Sequence, residues 1–295
     1  MQWTGDVARG SWIAPRLHGW GTVNSTVPAG FAAYARIFHP FRASRGEQGN
    51  DWTWTELAEH TGRVLHPLAQ AANLLGSQEY STVSDWSVGF PHFGFLPPVS
   101  LAALVEPLRA ATSTPNDVTI GVWDGWGELS PETMSVFAWF AEPLGSPEAA
   151  AKTKALEGEL REHKSADVSA EVARAVHTGS FGDPRPLVLQ LPGRDYVLLT
   201  TALDELADPI WPYRAGIGWI PDSLPFGGSG PMPQLIWPAD RAWCIASEID
   251  FDSTVVGGSR SLINEIVTSG LEALAVPEDG DLSENGDLIN PKPPH

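Results

Sequence analysis

The chain has 295 residues, 36 Asp and Glu against 18 Lys and Arg, a formal net charge of −18 and one cysteine. A hydrophobic content of 42% with 13 Trp and 11 Phe excludes a disordered chain, and the length suffices for one large domain or two small ones. No run of Lys and Arg interrupts the acidity, which argues against partners such as nucleic acid or an anionic membrane, since both are gripped by clustered cations.

Residues 1–30 are rich in Gly, Trp and turn formers and are expected to form an irregular arm packed onto the body. The start lacks the cationic and apolar stretches of a signal peptide, and nowhere does an apolar run reach the ~18 residues of a membrane helix, so a cytoplasmic protein is expected. Ala33–Phe38 reads as a strand ended by His39–Pro40, and Arg42–Asp51 as a polar loop. Thr53 followed by Glu56 has capping-box spacing for a helix over Thr53–Arg63, and Leu68–Leu75 resumes the helical pattern after His66–Pro67. Gly76–Pro98 reads as irregular. Leu101, Leu104, Val105 and Leu108 repeat at helical spacing after Ser100, with Pro107 late in the pattern.

Val118–Trp123 reads as a strand stopped by Asp124–Gly125. A segment at about 146–178, dominated by Ala, Glu and Lys, reads as a polar helical insertion. Leu187–Leu191 and Tyr196–Thr201 flank Pro192–Gly193, a hairpin signal, and Asp208–Pro238 is assigned no regular structure. Ala242–Phe251 is expected as one strand, and Ser259–Leu274 as a helix after Gly257–Gly258. The stretch 277–295, with five acids and one lysine, is expected to be a disordered tail. The expected fold class is α+β: a single domain over 31–276, mainly antiparallel sheet flanked by helices, with long irregular loops rich in Trp, Gly and Pro.

The most informative block is Trp237–Ser259. In an extended Ala242–Phe251 strand, alternation puts Glu248, Asp250 and Asp252 on one face at about 6.6 Å intervals. Acids so spaced either face solvent, Arg241 or Arg260, the commoner use, or hold a hard cation such as Mg²⁺ or Ca²⁺. No EF-hand spacing is present, and no cofactor is otherwise implied. Asp124, Trp126 and Glu128 follow a strand end, where a carboxylate beside an indole suits sugar recognition or acid catalysis; the plainer use of Asp124 is to cap the Gly125 turn. Trp237, Asp240 and Arg241 complete the candidate ligand-binding set. Cys244, in an apolar run, is expected to be a buried inert thiol. No zinc-protease, nucleophile-elbow or phosphate-loop motif occurs, so no catalytic residue is assigned.

The blocks TPNDVTIGVWDGWGE, LPGRDYVLL and WPADRAWCIASEIDFDSTVVGGS resemble, in that order, a group of uncharacterised actinobacterial proteins. The resemblance runs from Thr114 to Val276 outside the insertion. It implies a bacterial cytoplasmic protein and carries no reaction. The resulting expectation is a binding or interaction protein holding an unidentified protein or small-molecule partner on an acidic, Trp-lined surface. A hydrolase using paired carboxylates or a divalent cation is one alternative, and an immunity-type or structural protein that neutralises a basic partner is another.

Overall fold

The computed structural model describes residues 1–46, 48–126, 129, 146–147, 151, 185, 187–215 and 232–293. Glu128 and nearly all of the expected insertion at about 146–178 lie outside the described residues.

In chain order the elements begin with β1 (Gln2–Thr4), α1 (Val23–Thr26), β2 (Ala33–Phe38), β3 (Phe41–Arg45) and β4 (Gln48–Trp52). Next come α2 (Trp54–Thr61), α3 (Ala71–Leu75), β5 (Ser81–Val83), β6 (Trp86–Gly89), α4 (Pro98–Ala110) and β7 (Val118–Trp123). The second half contains β8 (Leu189–Leu191), β9 (Arg194–Thr201), α5 (Trp211–Arg214), β10 (Leu235–Pro238) and β11 (Cys244–Ala246). It closes with β12 (Ser253–Gly258), α6 (Arg260–Thr268) and β13 (Ala273–Val276).

Among the described residues these strands form two antiparallel sheets, and the α+β expectation holds. The larger is nine-stranded with the order β1-β9-β7-β10-β11-β12-β2-β13, and β8 pairs with β9. Side chains alternate across it. Val118, Ile120 and Val122 of β7 and Val197 and Leu199 of β9 face a core shared with α4 and α6. Tyr196 and Leu198 face the opposite core, covered by Trp12, Ile13, Val23 and Val27 of the N-terminal segment. The predicted arm does pack onto the body, but it is not wholly irregular, since β1 extends the sheet through its pairing with β9. Burial on both faces explains why β7 and β9 read as nearly continuous apolar runs. Leu101, Leu104 and Leu108 of α4 are fully buried, and each contributes about 1.5–3 kcal/mol by leaving water.

The smaller sheet, β4-β3-β6-β5, packs with α2 and α3 around Phe41, Trp52, Trp54, Leu57 and Leu74. The Thr53 box is made as expected: its hydroxyl accepts the Glu56 N–H, and Glu56 accepts the Thr53 N–H.

Six expectations are corrected. The "polar loop" 42–51 is the β3–β4 hairpin, whose outer residues Gln48–Asp51 are exposed and leave Trp52 as the buried anchor. Gly76–Pro98 holds the β5–β6 hairpin, and Leu235–Pro238 is a core strand rather than irregular. The Ala242–Phe251 strand stops at Ala246 because the chain folds back there, the Phe251 N–H donating to the Glu248 carbonyl at 2.9 Å. The C-terminal helix ends at Thr268; Gly270 adopts φ +91°, and Ala273–Val276 then pairs with β2. The stretch after Pro277 is not frayed in the structure: Leu282, Asp287 and Asn290 are buried, and the Leu282 N–H donates to the Gly21 carbonyl at 2.7 Å. Among the described residues no helix is long and apolar enough to cross a membrane.

Candidate functional site

The turn joining β11 to β12 carries the three acids singled out in the sequence, and it points them in different directions. Asp252 turns inward. Its Oδ1 accepts from Nη2 of Arg36 at 2.8 Å, and the same guanidinium donates to Ser253 Oγ at 2.8 Å and to the Ala69 carbonyl at 2.8 Å. Arg36 is 1% exposed and lies 4.7 Å from the Phe38 ring centroid. Burial pulls this guanidinium down from its usual range, and the Asp252 charge opposes that pull. The pair holds β2, the α3 approach and the turn together.

Glu248 and Asp250 turn the other way, toward Arg194. Arg194 Nη2 is 2.5 Å from Asp250 Oδ2 and 3.1 Å from Glu248 Oε1. The second contact lacks hydrogen-bond alignment, so Glu248 Oε1 is buried without a hydrogen bond. Burial raises Glu248 above the usual carboxylate range, with Arg194 opposing. The expected one-faced trio of Glu248, Asp250 and Asp252, and the divalent-cation set built on it, are therefore not assembled. Among the described residues no three His, Cys, Asp or Glu side chains gather in a metal-binding cluster.

Asp124 belongs to a third cluster. Arg185 bridges Asp124 and Asp195, and burial raises Asp124 while Arg185 opposes. Asp195 follows Arg194 in β9, so the two side chains project to opposite faces of the sheet. Arg194 sits with Trp123 on the face of Tyr196, its guanidinium 5.9 Å from the indole centroid. Asp124 and Asp250 are thus engaged by different arginines, Arg185 and Arg194.

The remaining candidates are structural in placement. Trp237 is 1% exposed in the core and offers no ligand platform. Trp126 meets Trp123 edge-on at 6.2 Å and donates its indole N–H to Gln234 Oε1 at 3.1 Å. Asp240 accepts from the Ser113 N–H at 2.7 Å and the Thr112 hydroxyl at 2.8 Å, tying two loops together. Arg241, at φ +56°, lays its guanidinium 5.6 Å from the Trp12 centroid. Cys244 is buried, and burial pushes its thiol well up, as expected of an inert cysteine.

What the structure does build beside Asp250 and Asp252 is a partly open cleft of about 290 Å³. One wall is Asp250–Asp252, a second is α3 with Gln70 and Asn73, a third is Phe90 and Phe93, and the fourth is Leu282–Glu284 with Lys292. Gly94 makes the third wall possible. At φ +63° its N–H donates to the Phe251 carbonyl at 2.8 Å, and a Cβ there would lie 2.5 Å from the Ile249 Cα. The C-terminal wall is pinned through Asp287, which accepts from His66 Nε2 and the Asn290 N–H at 2.8 and 2.9 Å. Asn73 is 3% exposed, yet its Nδ2 has no hydrogen-bond partner. An orphaned buried donor costs about 1–3 kcal/mol, a cost this helix carries next to the cleft.

Sequence reading found Asp250 and Asp252 but missed Gln70, Asn73, Phe90, Phe93 and the C-terminal wall. Phe90 and Phe93 stood out only as aromatics in a Gly- and Pro-rich stretch, and Asn73 as a polar residue inside an apolar helical pattern. No protein-family model matches the chain, and neither does any curated protein or solved structure.

Proposed function

We propose that the protein is a cytoplasmic binding protein that holds a small polar ligand in the cleft between the β11–β12 turn and α3. The observation that carries this reading is the partly open cleft of about 290 Å³, near the lower end of the ~300–1,000 Å³ usual for ligand pockets, with the half-exposed Phe93 beside polar Gln70 and Asp250. Asp250 supplies an exposed acceptor held in place by Arg194, and Asp252 anchors the same wall to Arg36. A hydrolase has less support, because these acids are engaged by arginines and Asp124 lies in a separate cluster. A basic-partner role rests on net charge alone.

The test is a thermal-shift screen of small neutral, cationic and anionic compounds against the protein and its Gln78→Leu/Phe93→Ala variant, which changes two residues of the cleft lining. A ligand that binds the folded state alone stabilises it by about 2.7 kcal/mol at a hundred times its Kd. The reading expects compounds that raise the melting temperature of the unmodified protein and not of the variant. Equal shifts for both, or none at all, contradict it.

A further inference from the structure

Resting on the binding reading above, we propose that the cleft selects a small organic cation, an ammonium ion carried on an apolar body. An excess of carboxylates, an exposed phenyl face and the lack of a metal-type ligand set lead there.

The arginines behind the cleft each answer to more than one carboxylate. Arg194 is shared by Asp250 at 2.5 Å and Glu248 at 3.1 Å, so one positive charge stands against two negative ones. Of these two acids Asp250 lines the cleft, and its side chain is 56% exposed against 15% for Glu248. Arg36 is held by Asp252 at 2.8 Å and also lies in the field of Asp287. Burial pushes the Asp287 carboxyl up, but hydrogen bonds from Asn290, His66 and Gln70 outweigh it and hold its pKa at about 2, so the charge is present at neutral pH. The rim adds Glu284 and Lys292, one of each sign, and Lys292 is engaged by Asn285 Oδ1 at 2.7 Å. With histidine neutral, the acids around the cleft outnumber the bases. Even with Glu248 protonated, Asp287 keeps the balance negative. Such a field concentrates positive ligands.

Phe93 supplies the second feature. It is 48% exposed at the cleft and meets Phe90 edge-on at 6.2 Å. A phenyl face attracts an ammonium through its quadrupole, by about 0.5–1 kcal/mol at an exposed site, and packs against the C–H groups of the ligand. An anion is repelled by both the face and the acids, and a neutral ligand gains only the packing.

The third feature separates an organic cation from a metal ion. Asp250 and Asp252 point apart, and among the described residues no three His, Cys, Asp or Glu side chains gather as metal ligands. A hard metal ion needs several oxygen ligands converging on it. An ammonium needs one carboxylate and takes the rest of its binding from the phenyl wall.

The experiment is calorimetric titration of the full chain at neutral pH with choline and 1,5-diaminopentane, with their uncharged counterparts 3,3-dimethyl-1-butanol and 1,5-pentanediol, and with citrate. Asp250→Asn and Phe93→Leu serve as variants, because both side chains are about half exposed, and circular dichroism melting checks that each stays folded. The expected result is that at least one cation binds about tenfold or more tighter than its uncharged counterpart and than citrate. Asp250→Asn, which removes the charge, and Phe93→Leu, which keeps the bulk without the π face, should each weaken that cation about threefold. Equal binding of a cation and its uncharged counterpart, or tighter binding of citrate, overturns the cation assignment and leaves the binding reading standing. Cation binding unchanged in both variants lies outside the cleft and overturns the assignment as well. No binding by any probe overturns it too, and only a blank thermal-shift screen besides takes the binding reading with it.

Discussion

Arg36 and Asp252 meet at 2.8 Å inside the molecule, joining β2 to the turn that forms one wall of the cleft. Asp252 is therefore an acid of the scaffold as well as of the cleft surface. Asp252→Ala strands a guanidinium that is 1% exposed and is expected to cost about 3–5 kcal/mol. The double change Arg36→Met, Asp252→Leu removes both charges and is expected to cost less than the single change. Urea unfolding of the unmodified protein and the two variants measures this; a double change costing as much as Asp252→Ala, or more, would contradict the pairing.

His39 sets a pH dependence. It is 1% exposed, with its ring nitrogens 2.8 Å from the His92 carbonyl and from Thr254 Oγ1, and burial pulls it down to about 4 from 6.5. Above pH 6.5 the folded and unfolded imidazoles are both neutral. As pH falls from 6.5 to 4 the unfolded chain takes up a proton that the folded one refuses, and stability drops by about 3 kcal/mol. Asp124 and Glu248, raised by burial, work in the opposite sense in acid. The readout is thus the difference between the protein and His39→Gln, whose urea midpoint should fall less between pH 7.5 and pH 4.5. Parallel pH profiles would contradict the assignment.

Gly94→Ala places a Cβ 2.5 Å from the Ile249 Cα, a backbone atom that cannot swing aside, at a φ of +63°. The left-handed conformation alone costs an L-residue about 1–2 kcal/mol, so a loss of about 2 kcal/mol or more is expected, together with displacement of the Phe90–Phe93 wall. Thermal unfolding of the variant reports the first effect, and loss of the ligand-induced thermal shift reports the second.

Asp287→Ala removes the acceptor shared by His66, Gln70, Ile289 and Asn290. The C-terminal wall should then open locally, with amide exchange at Ile289 and Asn290 faster by about tenfold or more while exchange in β7 and β9 is unchanged. Unaltered exchange at those two amides would mean that the carboxylate does not pin the segment.

Much of the fold was legible where local signals and burial agree. Ala33–Phe38 and Val118–Trp123 are apolar runs bounded by breakers, and the Thr53–Glu56 box fixes a helix start by its own hydrogen bonds. What escaped were segments whose structure depends on distant partners. The β3–β4 hairpin exposes Gln48–Asp51, so no periodic apolar pattern marks it. The C-terminal stretch looks like a solvated acidic tail until His66, Gln70 and Gly21 supply its partners. The candidate site failed for the same reason. Alternation along an assumed strand grouped Glu248, Asp250 and Asp252, whereas Arg194 and Arg36, remote in sequence, draw them apart. Asn73 carried no local sign that its amide would lack a partner.

Asn73→Leu tests the central claim most directly, because it replaces an orphaned buried donor by an apolar side chain of similar size. Because Nδ2 makes no hydrogen bond, urea unfolding without ligand should show the variant as stable as the unmodified protein or more stable, by up to about 1–3 kcal/mol. The same variant, altered in the cleft lining, should lose the thermal shift that a cleft ligand gives the unmodified protein. A variant that is clearly destabilised, or that binds as well as the unmodified chain, would contradict the account.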